Sequence, residues 1–359
     1  MSIVGARPQF IKAAPFHAAV RRRSGAVGEI LVHTGQHYDF EMSQIFFDGL
    51  VLPEPDHHLG VGSGSHGEQT GEMLKRLEPV LSAERPDVVV VHGDTNSTLA
   101  GALAAVKLDL AVAHVEAGLR SRRMDMPEEV NRVLTDHVST YLFAPTQTAV
   151  DNLTGEGIRD GVVLSGDVMR DVLEASLPAA ESRAGLLGEL GVEPGGYALA
   201  TVHRSENTDD RERLRSIVRG LELVARQMPV IAPLHPRTRK VLGDVTIEGV
   251  HVVAPLGYVE MICLLRSARV VVTDSGGLQK EAYWLGVPCV TPRRETEWVE
   301  TLQGGWNELT DADAELIVKA ATRPVPESPR DEAFGGRGAA ELIVDHLVRS
   351  VDKDASGPG

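Results

Sequence analysis

The stretch Val270-Val-Val-Thr-Asp-Ser-Gly-Gly-Leu-Gln-Lys-Glu-Ala-Tyr-Trp-Leu-Gly-Val-Pro-Cys-Val290 decides the fold class of this chain. It begins as a β-branched apolar run, breaks at Asp274–Gly277, continues with a helical pattern to Leu285 and returns to an apolar run at Val287. This order predicts a strand, a loop, a helix and a second strand, which together form the repeating unit of a parallel sheet covered by helices.

Two adjacent glycines at the start of this predicted helix indicate a ligand site. Gly276 and Gly277 allow a ligand to approach the backbone, and the N–H groups and dipole of the helix start favour phosphate. Glu281 follows Gly277 by one turn, so its carboxylate can accept hydrogen bonds from a ribose diol. The stretch therefore predicts a nucleotide site, although glycines here also suit a strand–turn–helix that merely packs tightly.

The composition is that of an acidic globular protein. The 359 residues are 42% hydrophobic and carry a formal net charge of −15, which argues against a nucleic-acid partner. Cys263 and Cys289 lie in apolar segments, which predicts reduced core thiols and a cytoplasmic location. No apolar run approaches the length of a membrane-spanning helix, so we expect no membrane partner.

Apolar β-branched runs alternate with helical patterns along the whole chain, which predicts the α/β class with two doubly wound parallel sheets. The predicted domains are residues 1–168 and 169–335, and a last helix over 336–351 can cross back to the first domain. The predicted strands of the first domain are Ser2–Val4, Glu29–Thr34, Val88–His92, Ala111–Val115, Tyr141–Ala144 and Val162–Leu164. Those of the second are Ala198–Val202, Val230–Pro233, His251–Val253, Val270–Thr273 and Pro288–Thr291.

Cations follow strand ends, where parallel sheets bind their ligands. Arg7 and Lys12 lie near a helix start, where structure alone favours anions, and this mismatch indicates an anionic ligand. His203 ends a strand of the second domain with Arg204 beside it. These two side chains either contact a diphosphate or have a purely structural role.

Three carboxylates near strand ends of the first domain are candidates for acid–base chemistry. Asp94 is either catalytic or a helix cap worth about 1 kcal/mol, and Glu116 is displayed on a tight turn. On the next helix we assign Glu128 to the site, because it shares a face with Arg132 and an ion pair would keep it ionised. We place Glu129 on a different face, and a solvated acidic helix start is the alternative for Glu128. Carboxylates held in opposite protonation states are the usual means of proton transfer.

Two further patterns resemble cofactor or metal sites but lack the required context. Gly62–Gly67 has the glycine spacing of a dinucleotide-binding motif, but a loop precedes it where that motif requires a strand. We therefore predict no nicotinamide site and no other cofactor. His33, His37, His57 and His58 come from separate loops without metal-ligand spacing, so we predict no metal.

An ordered series of motifs resembles the non-hydrolysing UDP-N-acetylglucosamine 2-epimerases over nearly the whole chain. The motifs are Gly5–Pro8, His92–Thr95, His114–Arg120, Pro127–Glu129 with Asn131 and Arg132, His203–Arg204, and Thr273–Gly277 with Glu281. The resemblance implies a GT-B fold, in which two Rossmann-like domains flank the active-site cleft, and a homodimer that needs no nicotinamide or metal. It also implies reversible C2 epimerisation of UDP-N-acetylglucosamine, a reaction that supplies cell-surface polysaccharide synthesis.

The resemblance also assigns roles to the candidate residues. Asp94, Glu116 and Glu128 become the acid–base residues, and His203 becomes the histidine near the diphosphate. The substrate-binding residues that it implies are Arg7, Lys12, Ser275, Gly276, Gly277 and Glu281. From their positions in the sequence we add Arg132 and Arg204 to this set. Gln36 and His37 correspond to a possible remnant of an effector site.

The expected reaction is an elimination followed by re-addition. No carbonyl activates C2 of the sugar, so loss of UDP to give a 2-acetamidoglucal is the accessible route, with cations stabilising the departing diphosphate. Segments 34–39 and 295–300 look closer to archaeal members and to the branch that acts on UDP-2,3-diacetamido-2,3-dideoxyglucuronate, which is the alternative substrate. A GT-B glycosyltransferase, which transfers sugar to an acceptor, and a non-catalytic UDP-sugar sensor are the competing classes.

Overall fold

The computed structural model describes residues 1–23, 25–36, 52–234, 241, 247–330 and 333–356, apart from the side chains of residues 7 and 352–356. The chain divides into two compact units, Met1–Val172 with Glu332–Gly359, and Leu173–Asp331. Each unit contains one parallel sheet with helices, so the predicted α/β class with two doubly wound domains is confirmed.

The described part of the first unit contains a seven-stranded parallel sheet. Its strands are β1 (Ser2–Val4), β2 (Leu31–His33), β3 (His57–His58), β4 (Val88–His92), β5 (Ala111–Val115), β6 (Tyr141–Ala144) and β7 (Val162–Leu164). Across the sheet they lie in the order β3, β2, β1, β4, β5, β6, β7. The strand order reverses between β1 and β4, and such a switch point is where doubly wound sheets bind ligands.

The described part of the second unit contains a six-stranded parallel sheet. Its strands are β8 (Ala198–Thr201), β9 (Val230–Pro233), β10 (Val250–Val253), β11 (Val270–Thr273), β12 (Cys289–Thr291) and β13 (Asn307–Leu309). They lie in the order β10, β9, β8, β11, β12, β13, so this sheet has its switch point between β8 and β11.

Helices lie between most of the described strands in both units. They are α1 (Arg7–Arg21), α2 (His66–Glu84), α3 (Asn96–Lys107), α4 (Pro127–Val138), α5 (Gln147–Gly155), α6 (Val168–Ser182), α7 (Gly185–Glu189), α8 (Ser205–Thr208), α9 (Arg211–Ala225), α10 (Tyr258–Ser267), α11 (Gly276–Leu285), α12 (Ala314–Thr322) and α13 (Ala339–Ser356). A 3₁₀ helix spans Val299–Gly305. Within the described ranges, none of these helices is long and apolar enough to span a membrane.

Helix α13 packs in the core of the first unit although it ends the chain. Its apolar face, which includes Ile343 and Leu347, joins a buried cluster with α1 and with β4, β5 and β6. Arg23, just beyond α1, forms ion pairs with Glu341 and with Asp345, the latter at 2.6 Å. The core of the first unit is therefore built from both ends of the sequence.

We expect Ile343→Ala to lower the free energy of unfolding by about 2–5 kcal/mol, because it removes a fully buried side chain from this cluster. The adjacent Leu342 is 41% exposed, so Leu342→Ala should change stability by less than about 0.5 kcal/mol. Urea unfolding followed by circular dichroism measures both variants, and equal effects would contradict the packing of α13.

Candidate active site

Gln9 joins the loops that follow β1 and β4 at the switch point of the first unit. Its side-chain oxygen accepts the N–H groups of Gly5 and Ala6 at 2.8 and 3.1 Å. Its amide nitrogen donates to the carbonyl of His92 at 2.9 Å and to the hydroxyl of Thr98 at 3.0 Å. This buried side chain therefore fixes the start of α1 against the end of β4.

Lys12 and Glu116 form an ion pair at the same switch point, and both side chains are largely buried. Lys12 lies on α1 and Glu116 follows β5, so the structure brings together two predicted site residues from distant parts of the chain. A Cβ atom on Gly93 would lie 2.9 Å from Lys12 Nζ and 3.5 Å from Glu116 Oε2. A side chain at this position would therefore crowd the ion pair, and the positive φ of 66° also favours glycine.

The backbone of Glu116 lies in the left-handed region, with φ at 76°. This conformation costs a non-glycine residue on the order of 1–3 kcal/mol and is concentrated at functional sites. The N–H groups of Glu116 and Ala117 both donate to the carbonyl of Phe143, at 3.1 and 3.0 Å. The N–H of Gly118 donates to the carboxylate of Asp136 at 3.1 Å. The fold thus holds Glu116 in a strained position.

Arg132 on α4 forms ion pairs with two carboxylates, those of Asp94 and Glu129. Glu129 is only 1% exposed, and it also accepts two N–H groups of the preceding loop at 2.9 and 2.7 Å. The expected ion pair of Arg132 with Glu128 was therefore wrong, because Glu129 takes the buried place beside Arg132 and Glu128 is exposed. The assignment of Glu128 to the site stays a prediction. The loop before α4 folds over Glu129, and helical spacing alone does not reveal that contact.

His92 is completely buried close to the Lys12–Glu116 pair. The pKa of His92 is lowered to about 3, chiefly by burial; the charges of Lys12 and His114 act in the same direction and that of Glu116 acts against them. The ring is therefore neutral at physiological pH. Within the described part of the chain, neither of its nitrogens has a hydrogen-bond partner.

The predicted effector remnant falls partly outside the described residues. Gln36 Oε1 accepts the N–H and the hydroxyl of Ser97 at 3.0 and 2.6 Å, so Gln36 holds the start of α3. His37 lies outside the described residues, as does the side chain of Arg7.

Asp274 organises the loop that follows β8 in the second unit. Its buried carboxylate accepts the N–H groups of His203 and Arg204 at 3.1 and 3.0 Å, and the side-chain amide of Asn207 at 3.0 Å. His203 Nδ1 also lies 3.8 Å from Asp274 Oδ1. Asp274 thus displays two predicted site residues at the carboxyl end of β8.

The start of α11 lies at the switch point of the second sheet, next to this loop. A Cβ atom on Gly276 would lie 2.9 Å from Trp298 Nε1 and 3.7 Å from Arg204 Nη2, so Gly276 packs beneath these two side chains. Ser275 makes no side-chain capping bond to the helix within the described residues. A Cβ atom on Gly277 would meet nothing nearer than 3.9 Å. The first N–H groups and the helix dipole favour an anion in this open space.

Two buried carboxylates flank the helix start. Glu281 Oε1 accepts the hydroxyl of Tyr258 at 2.8 Å. Glu297 pairs with both terminal nitrogens of Arg293 at 3.0 and 3.1 Å. Burial by itself raises the pKa of Glu297, but the guanidinium of Arg293 outweighs this effect and lowers the pKa to about 2.

Several residues of these sites were not predicted from the sequence. Asp274 was recognised only as a residue at a strand end, whereas Gln9, Asp136 and the Arg293–Glu297 pair were missed. The four-residue spacing of opposite charges after β12 is a signal that could have found the last pair. Within the described ranges, no group of three His, Cys, Asp or Glu residues could hold a metal ion.

Comparisons with known proteins point to one family. The family model described as UDP-N-acetylglucosamine 2-epimerase matches residues 19–348. A relative from Methanococcus maripaludis, named UDP-N-acetylglucosamine 2-epimerase homolog, is 49% identical over 98% of this chain and 99% of its own length. The UDP-2,3-diacetamido-2,3-dideoxy-D-glucuronate 2-epimerase of Pseudomonas aeruginosa is 48% identical over 97% of this chain and 99% of its own.

A solved structure shares the fold throughout. The UDP-N-acetylglucosamine 2-epimerase of Methanocaldococcus jannaschii, crystallised with UDP-N-acetylglucosamine and UDP, superposes with a TM-score of 0.88 and 42% sequence identity. The match covers 97% of this chain and 99% of that one.

We expect the ion pair of Glu297 to stabilise the second unit only above acidic pH. The pKa of Glu297 in the folded protein is about 2, below its ordinary value of 4.5, so this stabilisation is complete above pH 4.5 and disappears as the pH falls toward 2. Glu297→Gln should therefore lower the free energy of unfolding by about 3 kcal/mol at neutral pH and by much less near pH 3.

Urea unfolding at the two pH values measures this difference. Glu189 is exposed, so Glu189→Gln is the control. Its free energy of unfolding should match that of wild type at both pH values. A loss in Glu297→Gln that does not depend on pH would contradict the ion-pair explanation.

Proposed function

Because this chain belongs to the UDP-N-acetylglucosamine 2-epimerase family, whose members are isomerases, we propose that it interconverts UDP-N-acetylglucosamine and UDP-N-acetylmannosamine. The observation that carries this proposal is the ion pair of Lys12 with Glu116, whose backbone is strained. The ion pair places Lys12, a cation that can bind phosphate, beside Glu116, a carboxylate that can transfer a proton, at the switch point of the first sheet. An enzyme that removes a proton while a diphosphate leaves needs both groups.

The proposed reaction proceeds through elimination of UDP. One of the carboxylates Asp94, Glu116 and Glu128 removes the C2 proton, and the electron pair forms the C1–C2 double bond as the C1–oxygen bond to UDP breaks. A carboxylic acid of the same set then protonates C2 from the opposite face, and UDP adds back to C1. The net change is inversion at C2. Exposure of Glu128 and partial exposure of Asp94 suit contact with a sugar.

The second unit has the features expected of the UDP site. The open helix start at Ser275, Gly276 and Gly277 suits the diphosphate, and Arg204 beside Gly276 adds positive charge. His203 is held at the end of β8 and is partly exposed, so it is available to the leaving oxygen. Glu281, fixed by Tyr258, is one turn further along α11 and suits the ribose hydroxyls.

The second candidate substrate is UDP-2,3-diacetamido-2,3-dideoxyglucuronate. Its support is specific, because the Pseudomonas aeruginosa epimerase of that name is as similar to this chain as the Methanococcus maripaludis homolog. The elimination mechanism at C2 is the same for both sugars. We further propose a homodimer that acts in the cytoplasm, and the two buried, free cysteines suit a reducing compartment.

We expect proton NMR in deuterium oxide to identify which of the two candidate UDP-sugars is the substrate. Incubation with the true substrate should produce its C2 epimer with deuterium at C2, together with traces of UDP and the glycal. Glu116→Gln should slow deuterium entry by about 10²–10⁴-fold, because it removes an acid–base group and keeps the size of the side chain.

The exposed Glu84→Gln serves as the control and should exchange deuterium at the wild-type rate. Absence of deuterium entry with both UDP-sugars would overturn the proposed function. Transfer of the sugar to an acceptor without C2 exchange would instead identify a glycosyltransferase.

We expect Gly277→Ala to weaken UDP binding by at least about tenfold while leaving stability unchanged or slightly higher. The added methyl group would meet only Ser275 Oγ, at an ordinary contact distance of 3.9 Å, but would enter the space assigned to the diphosphate. Gly188→Ala on α7 also has open space around its Cβ and is the matched control for the backbone effect. Calorimetric titration with UDP measures both, and wild-type affinity in Gly277→Ala would place the diphosphate elsewhere.

A further inference from the structure

A buried network of charged side chains lies beneath the carboxylates of the first unit. Asp136 on α4 and His114 in β5 are both inaccessible to solvent, and Asp136 Oδ1 lies 2.6 Å from His114 Nδ1. Asp136 Oδ2 accepts a hydrogen bond from Arg120 at 2.7 Å, and Arg120 in turn pairs with Glu156 at 2.6 Å. Burying these charges is costly unless each is paired, so the arrangement requires all of its members.

The two ends of this network contact the loops that carry two proposed catalytic carboxylates. Asp136 Oδ2 accepts the N–H of Gly118, two residues after Glu116, at 3.1 Å. His114 Nε2 lies 2.7 Å from the carbonyl of Gly93, the residue before Asp94. One pair of side chains thus holds the backbone next to both carboxylates.

The strain at Glu116 explains why such contacts are needed. A left-handed glutamate returns to an ordinary backbone conformation unless its surroundings prevent this. Phe143 holds the N–H groups of residues 116 and 117, and Asp136 holds that of residue 118, so the turn is fixed at three successive N–H groups. Removal of the contact between Asp136 and Gly118 frees the end of the turn that leads to Arg120.

We propose that Asp136, acting directly and through His114, is a positioning residue that sets the distance and orientation of Glu116 and Asp94 for proton transfer. This inference rests on the proposed function. Catalysis by proton transfer depends steeply on geometry, and a displacement of about 1 Å can cost on the order of 10²-fold in rate. Neither Asp136 nor His114 touches the substrate in this proposal.

Two substitutions separate positioning from charge. Asp136→Asn keeps every contact, because its oxygen can accept from Gly118 and Arg120 while its amide donates to His114 Nδ1. The neutral imidazole can still donate from Nε2 to Gly93. Asp136→Ala removes all three contacts. If Asp136 acts by positioning, Asp136→Asn should therefore retain activity and Asp136→Ala should lose it.

The first unit also supplies a matched control for the loss of a buried pair. His17 Nδ1 and Glu29 Oε2 are likewise 2.6 Å apart and mostly buried, but they lie outside the switch-point loops. Glu29→Ala therefore removes a pair of the same type without disturbing the backbone at Gly93 or Gly118.

The test measures kcat, KM and UDP affinity of the three variants below their unfolding temperatures. We expect Asp136→Ala to lose about 10²-fold in kcat with KM and UDP affinity within about threefold of wild type, whereas Asp136→Asn stays within about fivefold. Glu29→Ala should be destabilised but keep the wild-type kcat. An Asp136→Ala enzyme with wild-type kcat, or an Asp136→Asn enzyme as slow as Asp136→Ala, would overturn the proposal.

Hydrogen exchange measured by mass spectrometry gives a readout that does not depend on the reaction. We expect peptides covering residues 93–96 and 116–120 to exchange faster in Asp136→Ala and not in Asp136→Asn or Glu29→Ala. If Asp136→Ala does not fold, His114→Leu replaces it. This variant removes the contacts of His114 with Gly93 and with Asp136, leaves Asp136 bonded to Gly118 and Arg120, and should accelerate exchange at 93–96.

These results separate failure of the inference from failure of the proposed function. A wild-type protein that exchanges no C2 proton of either UDP-sugar refutes the function, while faster hydrogen exchange at both loops still supports the positioning role. Unchanged exchange at both loops in Asp136→Ala refutes the positioning role even in an active enzyme.

Discussion

A glutamate held at a φ of 76° stores strain on the order of 1–3 kcal/mol, and the first unit is arranged so that Glu116 cannot release it. The carbonyl of Phe143 and the carboxylate of Asp136 accept the N–H groups of the turn, and Lys12 forms an ion pair with the Glu116 side chain. The second unit uses a related device, in which the buried Asp274 fixes a loop through its N–H groups. In both units, a buried carboxylate gives an irregular loop the rigidity of the sheet.

Strong periodicity explains why much of the fold could be predicted. The apolar runs at 88–92, 111–115, 141–144 and 270–273 have the observed bounds, because central strands of a parallel sheet are buried on both faces. The edge strands β3 and β13 were missed, since two histidines and a three-residue strand with a single leucine carry no such pattern. The predicted strand at 29–34 was too long at both ends for a similar reason.

The residues of the candidate site could be predicted only where they follow the end of a strand. That rule led to Asp94, Glu116, His203 and the glycines of α11, because the chemistry of parallel sheets is concentrated at those ends. It did not lead to Glu129, which also accepts N–H groups of the preceding loop, or to Asp136, whose histidine partner lies in a strand; helical spacing encodes neither of these contacts. A lone aspartate within a helix has the same appearance in the sequence whether it faces solvent or a buried histidine.

The position of α13 has a consequence for the order of events during synthesis. The ribosome releases the chain from its N-terminus, and domains generally fold as their residues emerge. The first unit lacks the buried face of Ile343 and Leu347 until residues beyond the second unit are made, whereas the second unit is continuous in sequence. The second unit can therefore complete its core before the first unit, although its synthesis begins later. Until α13 is made, the first unit exposes an apolar surface to which chaperones can bind.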